Sequence, residues 1–359
     1  MDWVRGENLG HGSFATVNLA TAGSQSCGFP PLMAVKSCGF SHSSSLMNEK
    51  LILDDLKDCP EIIRCFGESC SYEKGEKLYN VLLEYAPGGA LADKLRNSGG
   101  GRMSESEVRG YTKALLKGIY YIHKFGYVHC DIKLQNILLG GNGRVKIADF
   151  GLAKRYGGRK GAATGCELRG TPLYMSPEMV AGGEQGPPAD IWALGCVVAE
   201  MLSGNPAWRY SDIAGLMMRI GVGEEVPEIP KGLSEEGKDF LGKCFVKDPS
   251  KRWTAEMLLN HPFTCDQDFE DDGSKNREEN SPSTSPRCAF DFPDWASSVT
   301  CSITSLPRSE YSPESGSWFS GESSSGSGSW SNRAAARLME LVSDQNPNWS
   351  VSDDWVTIR

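Results

Sequence analysis

The spacing of apolar positions divides this chain into three stretches of different character. Residues 4–19 and 33–37 carry runs rich in β-branched side chains, which suit the strands of a twisted sheet. Residues 23–31, with their glycines and prolines, read as a hairpin loop between the second and third strands, and residues 46–56 read as a helix. Further on the period lengthens. Val108, Tyr111, Leu115, Ile119 and Ile122 recur at helical spacing, and Ser104 with Glu107 forms a capping box just before them. After Phe263 the periodicity stops. Residues 281–331 hold eighteen serines and few aliphatics, too little apolar area to offset conformational entropy, so this segment is expected to be disordered. Ala334-Ala335-Ala336-Arg337-Leu338-Met339-Glu340-Leu341-Val342 has good helix propensity and one apolar side, with Trp349 and Trp355 beyond it. It reads either as a fluctuating helix without a partner or as a docking peptide that orders on contact.

Charge sharpens this division. Residues 264–359 hold 16 acidic and 7 basic side chains, while residues 1–263 hold 30 of each, so the formal charge of −9 lies wholly in the tail. A nucleic-acid footprint would be basic, and none is present. Twelve cysteines are scattered without a C-x-x-C pair or a zinc-like His spacing, as expected of small buried hydrophobes in a reduced intracellular protein. There is no long apolar span, no signal-peptide pattern, no Gly at position 2 and no prenylation box. The expectation is a soluble protein of the cytoplasm, with the nucleus also open.

The chemistry is concentrated in His129-Cys130-Asp131-Ile132-Lys133-Leu134-Gln135-Asn136, followed thirteen residues later by Asp149-Phe150-Gly151. Phosphoryl transfer needs metal ions to neutralise phosphate charge and a carboxylate that orients the attacking hydroxyl. Asp131 stands where that carboxylate belongs, and Asn136 and Asp149 are placed to hold magnesium. Leu9-Gly10-His11-Gly12-Ser13-Phe14-Ala15-Thr16-Val17 resembles a glycine-rich loop that covers ATP phosphates, with Ala15 in place of its third glycine. Met33-Ala34-Val35-Lys36 reads as a strand that delivers a lysine, and Glu49, thirteen residues on, is its natural partner against the α- and β-phosphates.

Together these motifs make residues 3–263 resemble a eukaryotic protein kinase domain over its full length. The resemblance implies an α+β, two-lobed fold: a small β-rich lobe over about 3–86, a larger helical lobe over about 87–263, and an acidic Ser-rich tail from 264 to 359. Gly170-Thr171-Pro172-Leu173-Tyr174-Met175-Ser176-Pro177-Glu178 looks like the end of an activation segment. Asp190-Ile191-Trp192-Ala193-Leu194-Gly195 looks like the buried helix that anchors the catalytic loop, and Arg252 is the implied partner of Glu178. Lys133, two residues after Asp131, is the serine/threonine pattern, and Thr171 could bridge the two. By the same resemblance the backbone of Glu84 and Ala86 would meet adenine, behind which Leu83 lies, and Val17, Ala34 and Leu138 would sandwich its ring. ATP and Mg²⁺ are the implied cofactors.

Within the family the chain resembles plant mitogen-activated protein (MAP) kinase kinase kinases of the short, MEKK-like branch. The features are the abrupt start at Met1-Asp2-Trp3 with no regulatory leader, Leu83-Glu84-Tyr85-Ala86-Pro87-Gly88-Gly89, and His129-Cys130-Asp131-Ile132-Lys133. The implied substrate is the activation-loop Ser/Thr of a MAP kinase kinase, in stress or hormone signalling. A pseudokinase scaffold would be expected to lose Lys36, Asp131, Asn136 or Asp149, and all four are present. An adaptor role would rest on the tail alone. Cys130 replaces the Arg that, in many kinases, pairs with an activation-loop phosphate, so activity is expected to depend less on that phosphate. Arg155, Arg159, Lys160 and Arg169 could still offer charge to a phosphate on Thr164. Ser281-Pro282, Ser285-Pro286 and Ser312-Pro313 are expected feedback targets for a MAP kinase.

Overall fold

A computed structural model describes residues 3–12, 15–23, 28–99, 101–157 and 170–265. The expected run over residues 4–19 is two antiparallel strands, β1 (Trp3–His11) and β2 (Thr16–Ala22), parted at the glycine-rich turn where Gly12 N–H donates to the Ala15 carbonyl at 2.7 Å. After them come β3 (Leu32–Gly39), α1 (Ser44–Asp55), β4 (Cys65–Glu73) and β5 (Glu76–Glu84). The five strands form one antiparallel sheet in the order β1-β2-β3-β5-β4, and α1 packs against β4. This is the smaller lobe.

The larger lobe follows with α2 (Leu91–Asn97), α3 (Glu105–Lys124), β6 (Tyr127–Val128), β7 (Ile137–Leu139), β8 (Val145–Ile147), β9 (Lys154–Arg155), α4 (Pro177–Val180), α5 (Pro187–Ser203), α6 (Ile213–Gly221), α7 (Glu235–Cys244) and α8 (Ala255–Leu259). Its strands pair only as short antiparallel ribbons, β6 with β9 and β7 with β8. The capping box at the start of α3 is formed: Ser104 Oγ accepts Glu107 N–H at 3.3 Å, and the Glu107 carboxylate returns to Ser104 N–H. One apolar core runs through both lobes, from Leu9, Ala34 and Leu83 to Phe150, Trp192 and Phe240.

α5 is mainly apolar and buried along most of its length, and therefore central. Two prolines stand in its first turn, where a missing N–H costs nothing, and Gly204 ends it at φ 74°. Gly195 lets α7 approach: a Cβ there would lie 2.7 Å from both Cys244 Cβ and the Phe245 ring. The chain end of the lobe is fixed by Phe263, fully buried against Phe240 and capped by the Arg109 guanidinium 4.6 Å above its ring. Of eight described cysteines, five are buried, as expected for this residue in a packed interior. The expectations for the tail after residue 265, including the Ser-Pro steps and the segment around Leu338, lie outside the described residues.

Arg252 and Glu178 form a buried ion pair in this lobe. Their side chains are 0% and 7% exposed, and they meet in two parallel hydrogen bonds of 2.8 and 2.9 Å. Arg252 also donates to the carbonyls of Val246 and Pro188 and lies over the Trp192 ring. Removing one partner strands a charge in low dielectric. Arg252→Met should cost about 3–5 kcal/mol in chemical denaturation, and combining it with Glu178→Gln should cost clearly less than the sum of the two single changes.

Candidate active site

β3 and α1 together build the first half of the site. Lys36 sits in mid-strand, in register with Val17 on β2 and Val81 on β5, so its backbone is held from both sides. Its ammonium meets Glu49 Oε2 at 2.6 Å and Asp149 Oδ1 at 2.8 Å. Glu49 is 1% exposed, and its other oxygen accepts Phe150 N–H at 3.2 Å. Burial works against the Lys36 charge, but Asp149 and Glu49 outweigh it and hold its pKa above the ordinary lysine value. For Glu49 burial wins, raising the carboxyl against the pull of Lys36. Desolvation would also raise Asp149, although its side chain is 48% exposed, yet Lys36, and behind it Lys133, hold it well below the usual carboxylate range. Asp149 adopts a left-handed backbone, φ 62° and ψ 72°, which Asp tolerates better than most residues.

The second half is the loop between β6 and β7. Asp131 Oδ1 accepts from Thr171 Oγ1 at 2.8 Å, and Oδ2 faces Lys133 Nζ at 2.8 Å and Asn136 Nδ2 at 3.0 Å. Lys133 donates to Thr171 Oγ1 at 2.9 Å, closing a triangle of carboxylate, ammonium and hydroxyl. The loop is pinned from below by Asp190, near the start of α5. Its two oxygens take the N–H groups of His129 and Cys130 at 2.9 and 3.0 Å, and His123 Nε2 lies 2.8 Å away. Burial opposes that charge, but His123 and the loop donors hold its pKa below the ordinary value. Cys130 takes φ 70°, a conformation that the Asp190 anchor and the Gln185 bond to its carbonyl help to maintain.

A sequence model of the protein kinase domain matches residues 3–264. The chain belongs to the protein kinase family. It is 49% identical to mitogen-activated protein kinase kinase kinase 20 of Arabidopsis thaliana over 368 aligned residues, which cover all of both chains. Mitogen-activated protein kinase kinase kinases 17 and 18 of the same plant are 43% and 42% identical, over 73% and 75% of this chain and 69% and 79% of theirs. It is a serine/threonine kinase, and these relatives place it in the MAP kinase kinase kinase family. A kinase domain uses ATP as phosphate donor.

The residues expected to meet a nucleotide gather where the two lobes join. Leu9 is buried, Gly10 and His11 pair with Val17 and Thr16 across β1 and β2, and Ser13 and Phe14 lie outside the described residues. Val17, Ala34 and Leu138 join one apolar cluster with Leu83, which is in register with Ala34. At the connection between lobes, Glu84 spends its N–H on the Arg64 carbonyl and its carboxylate on Lys146, at 2.8 Å each. The buried Ala86 carbonyl accepts Gly89 N–H, while the Ala86 N–H finds no acceptor among the described residues. That is a donor suited to an adenine nitrogen. Thr164, Arg159, Lys160 and Arg169 lie outside the described residues. Arg155, which could offer charge to a phosphate on Thr164, pairs with Asp55 on α1.

Sequence reasoning missed several supporting groups. Ser45 Oγ and Asn48 Nδ2 donate to the Gly151 and Ala153 carbonyls at 2.9 and 3.2 Å, holding α1 to the segment after Asp149. With Glu49 they form a polar stripe on a helix that faces the core, and that stripe was the available signal. Among the described residues no group of three or more His, Cys, Asp or Glu could hold a metal by itself, and no helix is long and apolar enough to cross a membrane.

Tyr174 and Glu200 were missed as well. Tyr174, three residues after Thr171, donates to Glu200 Oε2 at 2.5 Å, and burial pushes the Glu200 pKa up to about 7. A carboxyl whose folded pKa is raised stabilises the fold fully below its unfolded value, and that contribution is lost as pH rises through the folded value. Glu200→Gln should therefore flatten the fall in thermal midpoint between about pH 5 and pH 8. Equal slopes for parent and variant would show that Glu200 titrates in the ordinary range.

Proposed function

We propose that this kinase transfers the γ-phosphate of ATP to a serine or threonine in the activation loop of a MAP kinase kinase, in the cytoplasm and nucleus of a plant cell under stress or hormone signalling. The observation that carries the chemistry is the facing pair of clusters, Lys36–Glu49–Asp149 and Asp131–Lys133–Thr171. Lys36, aligned by Glu49, would hold the α- and β-phosphates. Asp131 would orient the attacking hydroxyl, since a carboxylate has about four acceptor positions and its three observed partners leave room. Lys133 would offset charge on the phosphate in transit, and Thr171 keeps acid and base in register.

The residues fit magnesium. Asn136 commits its Nδ2 to Asp131, which leaves Oδ1 as its acceptor, and Asp149 commits one oxygen to Lys36 and keeps the other. One carboxylate and one amide oxygen suit an ion that draws its remaining ligands from water and phosphate. When bound, magnesium neutralises charge on the transferring phosphoryl group. Support for the substrate comes from the relatives' names and from the alignment with one of them along the entire chain.

Tested against a panel of MAP kinase kinases whose own lysines are disabled, the purified chain should label activation-loop serines or threonines. Lys36→Met and Asp149→Asn should each reduce the rate by about 10²–10⁴ while the protein stays folded. Full activity in either variant would refute these roles, and labelling of a generic substrate but no panel member would refute the cascade assignment alone.

The tail reading follows the same placement in the cascade. Ser281, Ser285 and Ser312 each precede Pro, the sequence MAP kinases favour, and each phosphate adds about −1.5 to −2 charges to an acidic segment. Incubation with an active MAP kinase and ATP should modify at least one of the three, as read by mass spectrometry with the Lys36→Met chain as substrate. Absence of label at all three would remove the feedback reading and leave the catalytic one intact.

A further inference from the structure

Tyr127 and Arg155 are cross-strand partners in the β6–β9 ribbon, and their side chains converge on one atom of a third element. Tyr127 Oη donates to Asp55 Oδ2 at 2.5 Å, and Arg155 Nη2 reaches the same oxygen at 3.0 Å. The guanidinium also lies over the Tyr127 ring, 4.7 Å from its centre. Asp55 is the last residue of α1, the helix that carries Glu49. Tyr127 stands four residues before Asp131, and Arg155 six after Asp149. One carboxylate oxygen thus joins the end of the Glu49 helix to the strand that enters the catalytic loop and to the strand that leaves the metal-side Asp.

The charge arrangement at this helix end is unusual. A helix C-terminus carries partial negative charge and favours cations. The last turn of α1 has no basic residue and ends in Asp54 and Asp55. Lys50 answers Asp54 from within the helix at 2.7 Å. Among the described residues Asp55 is answered from outside the helix, by Arg155 and Tyr127. The cation that meets Asp55 is therefore in place only when α1 is docked against β9. Nearer the start of the same helix, the Ser45 and Asn48 bonds to Gly151 and Ala153 hold the same segment. Arg155 and Asp55 side chains are 68% and 46% exposed, so the pair adds little to global stability. Its leverage lies in the orientation of the helix.

We propose that Asp55, Tyr127 and Arg155 form a clasp that positions the Glu49 helix for catalysis, so that alignment of Lys36 with Glu49 and Asp149 is set by charge built into the chain. The clasp rests on the kinase reading of the site and adds positioning residues that touch neither nucleotide nor substrate. It also gives Arg155 a use other than reading a phosphate on the activation segment.

The test uses the full chain after phosphatase treatment, a generic protein substrate and four variants: Asp55→Ala, Arg155→Ala, Arg155→Lys and Tyr127→Phe. Asp55→Ala and Arg155→Ala should each lower kcat about 5- to 30-fold, the range of a modest population shift, with the thermal midpoint within about 2 °C of the parent. Amide exchange across residues 44–55 should accelerate in both. The double Ala variant should be no worse than either single one, Arg155→Lys should recover most of the loss, and Tyr127→Phe should fall between. A merely structural role would move the midpoint in step with kcat and leave exchange in α1 unaltered relative to other helices, and that result overturns the proposal. So does full activity in both Ala variants. If the phosphatase-treated parent is already as slow as Arg155→Ala, and only phosphorylated parent is fast, Arg155 is a phosphate reader and the clasp falls, while the kinase activity itself stands.

Discussion

A single buried carboxylate, Asp190, sets the geometry on which everything else hangs. It stands near the start of the most deeply buried helix and is 1% exposed. A charge in that position is tolerated only because its oxygens are filled by the His129 and Cys130 N–H groups and by His123. The consequence runs outward. The two residues it grips lead directly to Asp131, and the His129 ring in turn accepts the Asp131 N–H at Nδ1, approaches the Ala148 carbonyl at Nε2 and packs edge-on to Phe150. Position at the reacting centre is thus inherited from the hydrophobic core rather than from the loop itself. Loops that carry chemistry need such rigid support, since small displacements cost large factors in rate.

The smaller lobe is joined to this frame through contacts that are polar and individually modest. Lys36 reaches across to Asp149, Glu49 accepts Phe150 N–H, and Ile63 N–H bonds the Ile147 carbonyl of β8. The apolar cluster continues beneath them, through Leu53, Leu56, Ile62 and Phe150. Continuous packing with directional polar links on top joins the two lobes across a shared core. The site lies on that seam, where a nucleotide would meet groups from both sides.

The residues legible in the sequence were those whose chemistry admits few substitutes. Lys36, Glu49, Asp131, Asn136 and Asp149 stand at fixed spacings because phosphate and magnesium accept a narrow range of ligands, and the structure brings the five together from four separate elements. The strands and the α3 helix were legible for the same kind of reason: β-branched runs and a capping box each have one main structural outcome. What could not be read were pairings between common residue types far apart in the chain. Asp55 and Arg155 are 100 residues apart, and nothing local marks either as the other's partner. Arg155 was legible as a charge that could meet a phosphate, and its pairing with Asp55 was not. Tyr174 and Glu200, 26 apart, look like an ordinary core aromatic and an ordinary helix acid until burial is known. The Ala86 backbone was legible through the family resemblance alone, since a backbone donor leaves no mark in the residue letters.

The left-handed backbone at Asp149 has a consequence for how this lineage can change. At φ 62° the position accepts Gly, Asn or Asp with little strain and few other residues. Two of those three lack the negative charge, and both lie a single nucleotide substitution from an aspartate codon. A duplicate of this gene released from selection for catalysis could therefore fall silent by one base change without its product unfolding. Loss of the enzyme and loss of the fold are separable events here. The shape that the core maintains would outlive the reaction it supports.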